Sequence, residues 1–309
     1  MSGTPWLLGA SVAPADRTPQ GWIGLARRLG EAGFDALVLS DADVPIAEMA
    51  AVAPRLGFVL SASVAGVAPE QLAATLTTLS AQTAGRAGWF APDLAQDHAG
   101  AEDFAATVYK LCEDAPGSGT PVLFHPAFSR AEQDFAARHA EILHLAGETA
   151  AANRWAVERI RELAADHGRR ASGLRFVMAV DVAVDVAVDV AVSVAVPGEV
   201  AVPGETAVAK GAGRSGEAAI AGDPVFVADE LQRLARENRL DGFVITSPTL
   251  DAFIDQVIPE LRARGRMRDA DTGPTLRERI YGSGNLRLDP SHPARRSAFI
   301  GIRRPSCPD

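Results

Sequence analysis

Between Trp6 and Arg264 the chain repeats one unit eight times, a short apolar run followed by a longer stretch with apolar residues at helical spacing. The apolar runs are Trp6 to Val12, Phe34 to Ser40, Leu56 to Val64, Ala87 to Ala91, Thr120 to His125, Glu141 to Ala146, Gly173 to Val180 and Leu240 to Thr246. The helical stretches are Gly21 to Ala32, Val44 to Arg55, Pro69 to Thr83, Ala101 to Glu113, Ser129 to His139, Glu148 to His167, Asp223 to Asn238 and Leu250 to Arg264. Several carry end signals. Gly33 follows the first helix, Pro69 opens the third, and Ser129 with Glu132 forms a capping-box pair. Strict alternation requires parallel strands joined by crossover helices. Eight such units predict an α/β fold closed into a (β/α)8 TIM barrel. An open doubly wound sheet is the competing arrangement, but no Gly-x-Gly-x-x-Gly follows a strand.

One segment breaks the alternation. From Val180 to Val196 every even position is Val, and Asp181, Asp185 and Asp189 recur every fourth residue. The period of two is that of a strand, yet the composition is low in complexity and runs into Val-Pro-Gly-Glu units and glycine. An extended chain would set successive carboxylates roughly 13 Å apart, too far to share one ion. Residues 181–217 are therefore expected to be a low-complexity insertion in the loop after strand seven, on the face where such barrels bind ligands. The barrel is assigned to residues 1–282. Residues 283–309, rich in Pro and Arg without periodicity, are expected to form a disordered tail.

Composition narrows the function. Of 309 residues 47% are hydrophobic, enough for a large core, and the net charge is −9. That balance argues against nonspecific nucleic-acid binding, which needs clustered Lys and Arg, and against anionic membranes. The apolar runs are too short to span a bilayer. Cys112 and Cys307 are the two cysteines, too few for a disulfide framework or a metal site. No leader pattern opens the chain, and a cytoplasmic location is expected.

In this architecture chemistry sits at the C-terminal ends of the strands. Those ends read Ser11, Asp41, Ser61, Ser63, Trp89, Phe90, His125, Ser129, Thr246 and Ser247. No Ser-His-Asp or Cys-His set, no metal-ligand spacing and no carboxylate pair is evident among them, and no catalytic residue is assigned. Hydroxyls, one carboxylate and aromatic rings suit a planar cofactor that brings its own reactivity. Trp89 and Phe90 can stack on such a ring or simply pack. His125 can meet a phosphate or substrate, or sit neutral in the rim.

Three stretches carry a family resemblance: Leu79 to Trp89 (LSAQTAGRAGW), Thr120 to Ala146 with its DFAARHAEILHLA ending, and Asp241 to Gly265 followed by TLRER at Thr275 to Arg279. They resemble the luciferase-like, flavin-dependent monooxygenases, in the branch of the nitrilotriacetate and dibenzothiophene-sulfone enzymes. The resemblance implies a two-component system. Reduced FMN arrives from a separate flavin reductase, dioxygen is the oxidant, and a small organic molecule is the substrate. It also makes a deazaflavin conceivable as cofactor and a homo-oligomer as the assembly.

Residue by residue, the resemblance sets Asp41 at a carboxylate lining the flavin pocket, although Asp41 also suits a helix N-cap. Ser129 matches the second serine of a phosphate-binding Ala-Gly-Ser-Ser turn, or serves as a cap alone. Ser63 falls where the third strand approaches the flavin, or is a plain strand-end serine. The chain also departs from the pattern. After Trp89 it reads Phe90-Ala91-Pro92-Asp93 in place of Asn-Val-Val-Thr-Ser, and the phosphate turn reads Pro126-Ala127-Phe128-Ser129. A noncatalytic barrel that has lost flavin binding and acts as a subunit or binding protein is the alternative.

Overall fold

The computed structural model describes residues 5–12, 18–40, 44–94, 98–115, 119–184, 208–210, 218–268 and 273–296. The first half runs β1 (Leu7–Ser11), α1 (Pro19–Ala32), β2 (Ala36–Leu39), α2 (Ile46–Val52), β3 (Gly57–Ser61), α3 (Pro69–Gln82), β4 (Ala87–Phe90) and α4 (His98–Asp114). The second runs β5 (Val122–Pro126), α5 (Arg130–His139), β6 (Ile142–Leu145), α6 (Ala150–Asp166), β7 (Arg175–Val184), β8 (Val208–Lys210), β9 (Ala218–Gly222), α7 (Pro224–Asn238) and β10 (Gly242–Thr246). Helix α8 joins Leu250–Ala252, a π-helical turn at Phe253–Val257 and Ile258–Ala263. Two short helices follow, α9 (Leu276–Tyr281) and α10 (Pro293–Arg296).

Strands β1 to β7 lie in sequence order, and β10 pairs in parallel with both β1 and β7. The sheet therefore closes into the expected eight-stranded parallel barrel with helices outside. Closure brings two backbones very near each other. A Cβ on Gly242 would lie 1.8 Å from the carbonyl oxygen of Leu7, so only glycine fits there.

Local chemistry places the helices. Thr18 accepts from the Gly21 amide ahead of Pro19, and Gly33 closes α1 at φ 92°. The Asp223 carboxylate accepts from the amides of Val225 and Phe226 at 2.9 Å and starts α7. Apolar helix stripes such as Trp22, Leu25, Ala26 and Leu29 are buried against outward strand residues, including Leu8, Leu37, Phe58 and Leu123. The opposite strand faces form a second core inside the barrel, built from Leu7, Val38, Val59, Val122, Phe124, Ile142, Val177 and Val244. Leu276 and Ile280 of α9 join that inner core and plug the barrel floor. Arg277 pairs there with Glu141, both side chains at most 5% exposed, and donates to the carbonyls of Thr120 and Pro121.

Two expectations need correction. Strand β7 continues to Val184, so the insertion does not start at residue 181. Val180 to Val184 pair with β9, and β8 lies antiparallel on β9. The reason is burial: Val182 and Val184 are buried on the helix-facing side. Asp185 and Asp189 lie outside the described residues. Nor does the tail separate at 283. Leu288 and His292 are each 1% exposed, the Leu288 amide donates to Glu113, and the Arg170 amide donates to Ser291. Those hydrogen bonds and buried side chains dock residues 286–292 against the barrel. Residues 297–309 lie outside the described residues.

Candidate active site

Which side chains reach the mouth is decided by strand parity, because successive residues face opposite sides of a sheet. The inner face carries Ser11, Ser61, Phe90, His144, Asp181 and Thr246 toward the C-terminal end. Asp181 and Thr246 are register partners on β7 and β10, as Ser61 and Phe90 are on β3 and β4. All but His144 are partly exposed, so among the described residues no packed layer closes over the mouth.

Phe90 and His144 form its aromatic wall. Their ring centroids are 5.0 Å apart, and Phe124 stands 6.2 Å from His144 on the inner side. His144 is 9% exposed, and its Nε2 is buried without a hydrogen-bond partner among the described residues. Burial pushes its pKa down to about 4, so the imidazole is neutral near pH 7, able to donate once and accept once. Asp181 sits half-buried on β7, the strand next to that of His144, and burial raises its pKa. His144 and Asp181 are the two groups that sequence reasoning missed. The strand-end reading does not include His144, and it sets Asp181 in the loop repeat. Strand parity, counted from a secure register, was the available signal.

The expected site residues divide. Phe90 is in the mouth. Trp89, one residue earlier, faces the helices instead. It is 2% exposed and its ring meets Tyr109 of α4 edge-on at 6.0 Å. His125 also points outward. It is fully buried against Phe135 of α5 at 4.7 Å, and its Nδ1 meets the Pro126 carbonyl at 2.6 Å. Neither ring is available to a cofactor in the barrel. Ser63 stands at the rim, where its hydroxyl donates to Asp93 and Asp93 also accepts from the Val64 amide at 3.0 Å. Burial of Asp93 opposes ionisation, but the Ser63 hydroxyl and nearby backbone amides outweigh it, and the pKa falls below the usual value. Ser63 thus ties the β3 and β4 loops together. Asp41 lies outside the described residues.

Ser129 caps α5. Its Oγ accepts from the Glu132 amide at 3.2 Å, while Glu132 Oε2 accepts from the amides of Ser129 at 2.7 Å and Phe128 at 3.0 Å. Phe128 turns outward, 47% exposed, and does not block the turn. The amides of Phe128, Ser129 and Glu132 at this turn are thus bonded within the chain. Among the described residues no group of His, Cys, Asp and Glu could hold a metal ion, and no helix is long and apolar enough to cross a membrane. A cavity of about 680 Å³ lies at the barrel's opposite end, lined by Trp6, Arg175, Arg236, Arg266 and Arg268 among others. It is far from the strand ends that form the mouth.

Known proteins resemble this chain in sequence and fold. The family model described as luciferase-like monooxygenase matches residues 95–250. The long-chain alkane monooxygenase of Geobacillus thermodenitrificans (strain NG80-2) is 28% identical over 222 residues, 60% of this chain and 50% of that protein. The dimethyl-sulfide monooxygenase of Hyphomicrobium sulfonivorans is 39% identical over 88 residues, 26% of this chain and 18% of its own length. The chain thus spans half the length, or less, of these curated relatives. A crystal structure of long-chain alkane monooxygenase superimposes with a TM-score of 0.75 at 21% identity, covering 95% of this chain and 99% of that one. That likeness is one of fold.

Proposed function

The chain belongs to the luciferase-like monooxygenase family, and from that premise we propose that it is a flavin-dependent monooxygenase that oxidises a small organic molecule with dioxygen. The observation that carries this reading is the mouth, where the Phe90 and His144 rings share the inner face with Ser61 and Asp181 on flanking strands and with the hydroxyls of Ser11 and Thr246. A planar heteroaromatic ring suits that wall. Phe90 offers a stacking face, and neutral His144 offers a hydrogen bond without charge. Ser11, Ser61 and Thr246 supply the polar edge contacts that fix orientation. When bound, a reduced flavin supplies the redox chemistry, and the protein's part is to orient it. A separate reductase is the proposed source of the reduced cofactor. Reduced FMN is the form the resemblance implies, with deazaflavin second.

A noncatalytic barrel is the second reading, favoured by the hydrogen bonds that already fill the turn before α5. The two readings separate in one experiment. Reduced flavin is titrated anaerobically into the protein while tryptophan emission is followed, then oxygen consumption is measured with a flavin reductase present. Saturable binding that His144→Ala weakens supports the enzyme. A well-folded protein that binds no flavin or deazaflavin refutes it.

A further inference from the structure

The end of the barrel opposite the mouth gathers positive charge, in a chain whose net charge is −9. The cavity of about 680 Å³ there is lined by four arginines, Arg175, Arg236, Arg266 and Arg268, and by one carboxylate, Asp241. The arginines come from three places. Arg175 opens β7, Arg236 lies in the last turn of α7, and Arg266 and Arg268 follow α8. A smaller cavity of about 300 Å³ shares Arg268 and adds Arg55, Arg262 and Arg279 against one carboxylate, Glu31.

A guanidinium is permanently charged and carries five N–H donors. Arg268 has a countercharge, with its Nε 3.6 Å from Asp35. Arg175, Arg236 and Arg266 make no ion pair among the described residues. Asp241 is engaged elsewhere, its Oδ2 accepting the Phe176 amide at 2.8 Å. Arg175 donates to the carbonyls of Ser172 and Leu174 at 2.9 and 3.0 Å, and Arg236 to that of Gln232 at 3.3 Å. The Arg266 guanidinium lies over the Trp6 ring, 5.4 Å from its centroid, and its Nε is buried without a hydrogen-bond partner among the described residues. Such a donor costs free energy that an incoming acceptor recovers. The volume is that of a small-molecule site, which spans roughly 300–1,000 Å³. Asp269 and Asp271, which come soon after Arg268 in the chain, lie outside the described residues.

We propose that this cavity is a second ligand site, separate from the mouth, for a small organic anion carrying at least two phosphate or carboxylate groups. Guanidinium groups pair their N–H donors with the oxygens of both, and arginines from three elements give such an anion more than one point of attachment. The site shares no residue with the mouth and does not rest on the flavin reading.

The test is calorimetric titration of the full chain with pyrophosphate and with citrate, and with acetate as the singly charged comparison. Ionic strength is held constant with sodium chloride, so that screening is the same throughout. The wild type is expected to bind pyrophosphate or citrate one to one and at least about tenfold more tightly than acetate. A preference for pyrophosphate assigns the site to phosphate esters, and one for citrate assigns it to polycarboxylates. Arg236→Gln and Arg266→Gln are each expected to weaken binding by about tenfold. Arg130→Gln, at the start of α5 by the mouth, is expected to leave it unchanged. Should Arg266→Gln fail to fold by circular dichroism, the exposed Arg236 decides alone. A wild type that binds neither probe better than acetate overturns the inference. So does binding that Arg236→Gln leaves intact, or that Arg130→Gln weakens as much.

Discussion

Lowering the pH from 7 to 5 should cost this protein several kcal/mol of stability through a few buried histidines. His125, His139 and His144 are 0%, 4% and 9% exposed. Burial, reinforced at His139 by Arg169 and Arg138, pushes their pKa values from 6.5 to about 4, 3 and 4. Each is therefore neutral when folded and protonates more readily when unfolded. Their contribution to stability is complete above pH 6.5 and is lost as the pH falls toward the folded values. At pH 5 the gap between ambient pH and the unfolded pKa is about 1.5 units, or about 2 kcal/mol per histidine at 1.36 kcal/mol per unit. Three such groups give about 6 kcal/mol, comparable to the whole stability of an ordinary domain, about 5–15 kcal/mol. His292, also lowered well below its usual value by burial, acts in the same direction. The assay is urea unfolding at half-unit steps of pH. The slope of stability against pH near 5.5 should correspond to uptake of between two and four protons on unfolding. Replacing His144 by Phe should reduce that uptake by about one. A stability change below about 1 kcal/mol between pH 7 and 5 would refute the reasoning, because it would mean the imidazoles find water or partners when protonated.

Three further outcomes follow from particular contacts. Glu141→Gln leaves Arg277 buried on the barrel floor without its countercharge, and should lower unfolding stability by about 3–5 kcal/mol. A loss under 1 kcal/mol in chemical denaturation would show that the pair is solvated. Gly242→Ala forces a methyl group to within 1.8 Å of the Leu7 carbonyl oxygen. It should separate β1 from β10, with a loss above about 4 kcal/mol or no soluble protein, checked by expression and circular dichroism. His144→Phe keeps the ring wall with Phe90 but removes the hydrogen-bonding nitrogens. It should weaken reduced-flavin binding by about 5- to 30-fold, the equivalent of about 1–2 kcal/mol, and unchanged binding would remove His144 from the site.

The order of elements was legible without coordinates, since periodicity and end signals are local physics. Thr18 with Pro19, Ser129 with Glu132 and Asp223 with Pro224 each start a helix through bonds spanning three residues or fewer. The alternation of strands and helices then leaves a closed parallel barrel as the economical way to bury the apolar faces. The family resemblance rested on the same residues, including the Thr275 to Arg279 stretch, but its role as the floor of the barrel did not. Leu276 reaches the inner core and Arg277 finds Glu141, 136 residues away in sequence.

What needed tertiary structure was the facing of each side chain at the mouth. Trp89 and Phe90 are adjacent in the chain, yet one packs on Tyr109 outside and the other on His144 inside. A strand turns every second residue the same way, so an uncertainty of one position in register exchanges the two sets completely. For that reason His125, expected at the mouth, packs outward on Phe135, while His144 on the next strand faces in. Docking of Leu288 and His292 likewise depended on surfaces assembled from distant segments, for which a proline- and arginine-rich sequence carries no periodic sign. The sequence by itself determined which elements form and in what order. Only closure of the barrel, by fixing register, decided which of their residues share the mouth.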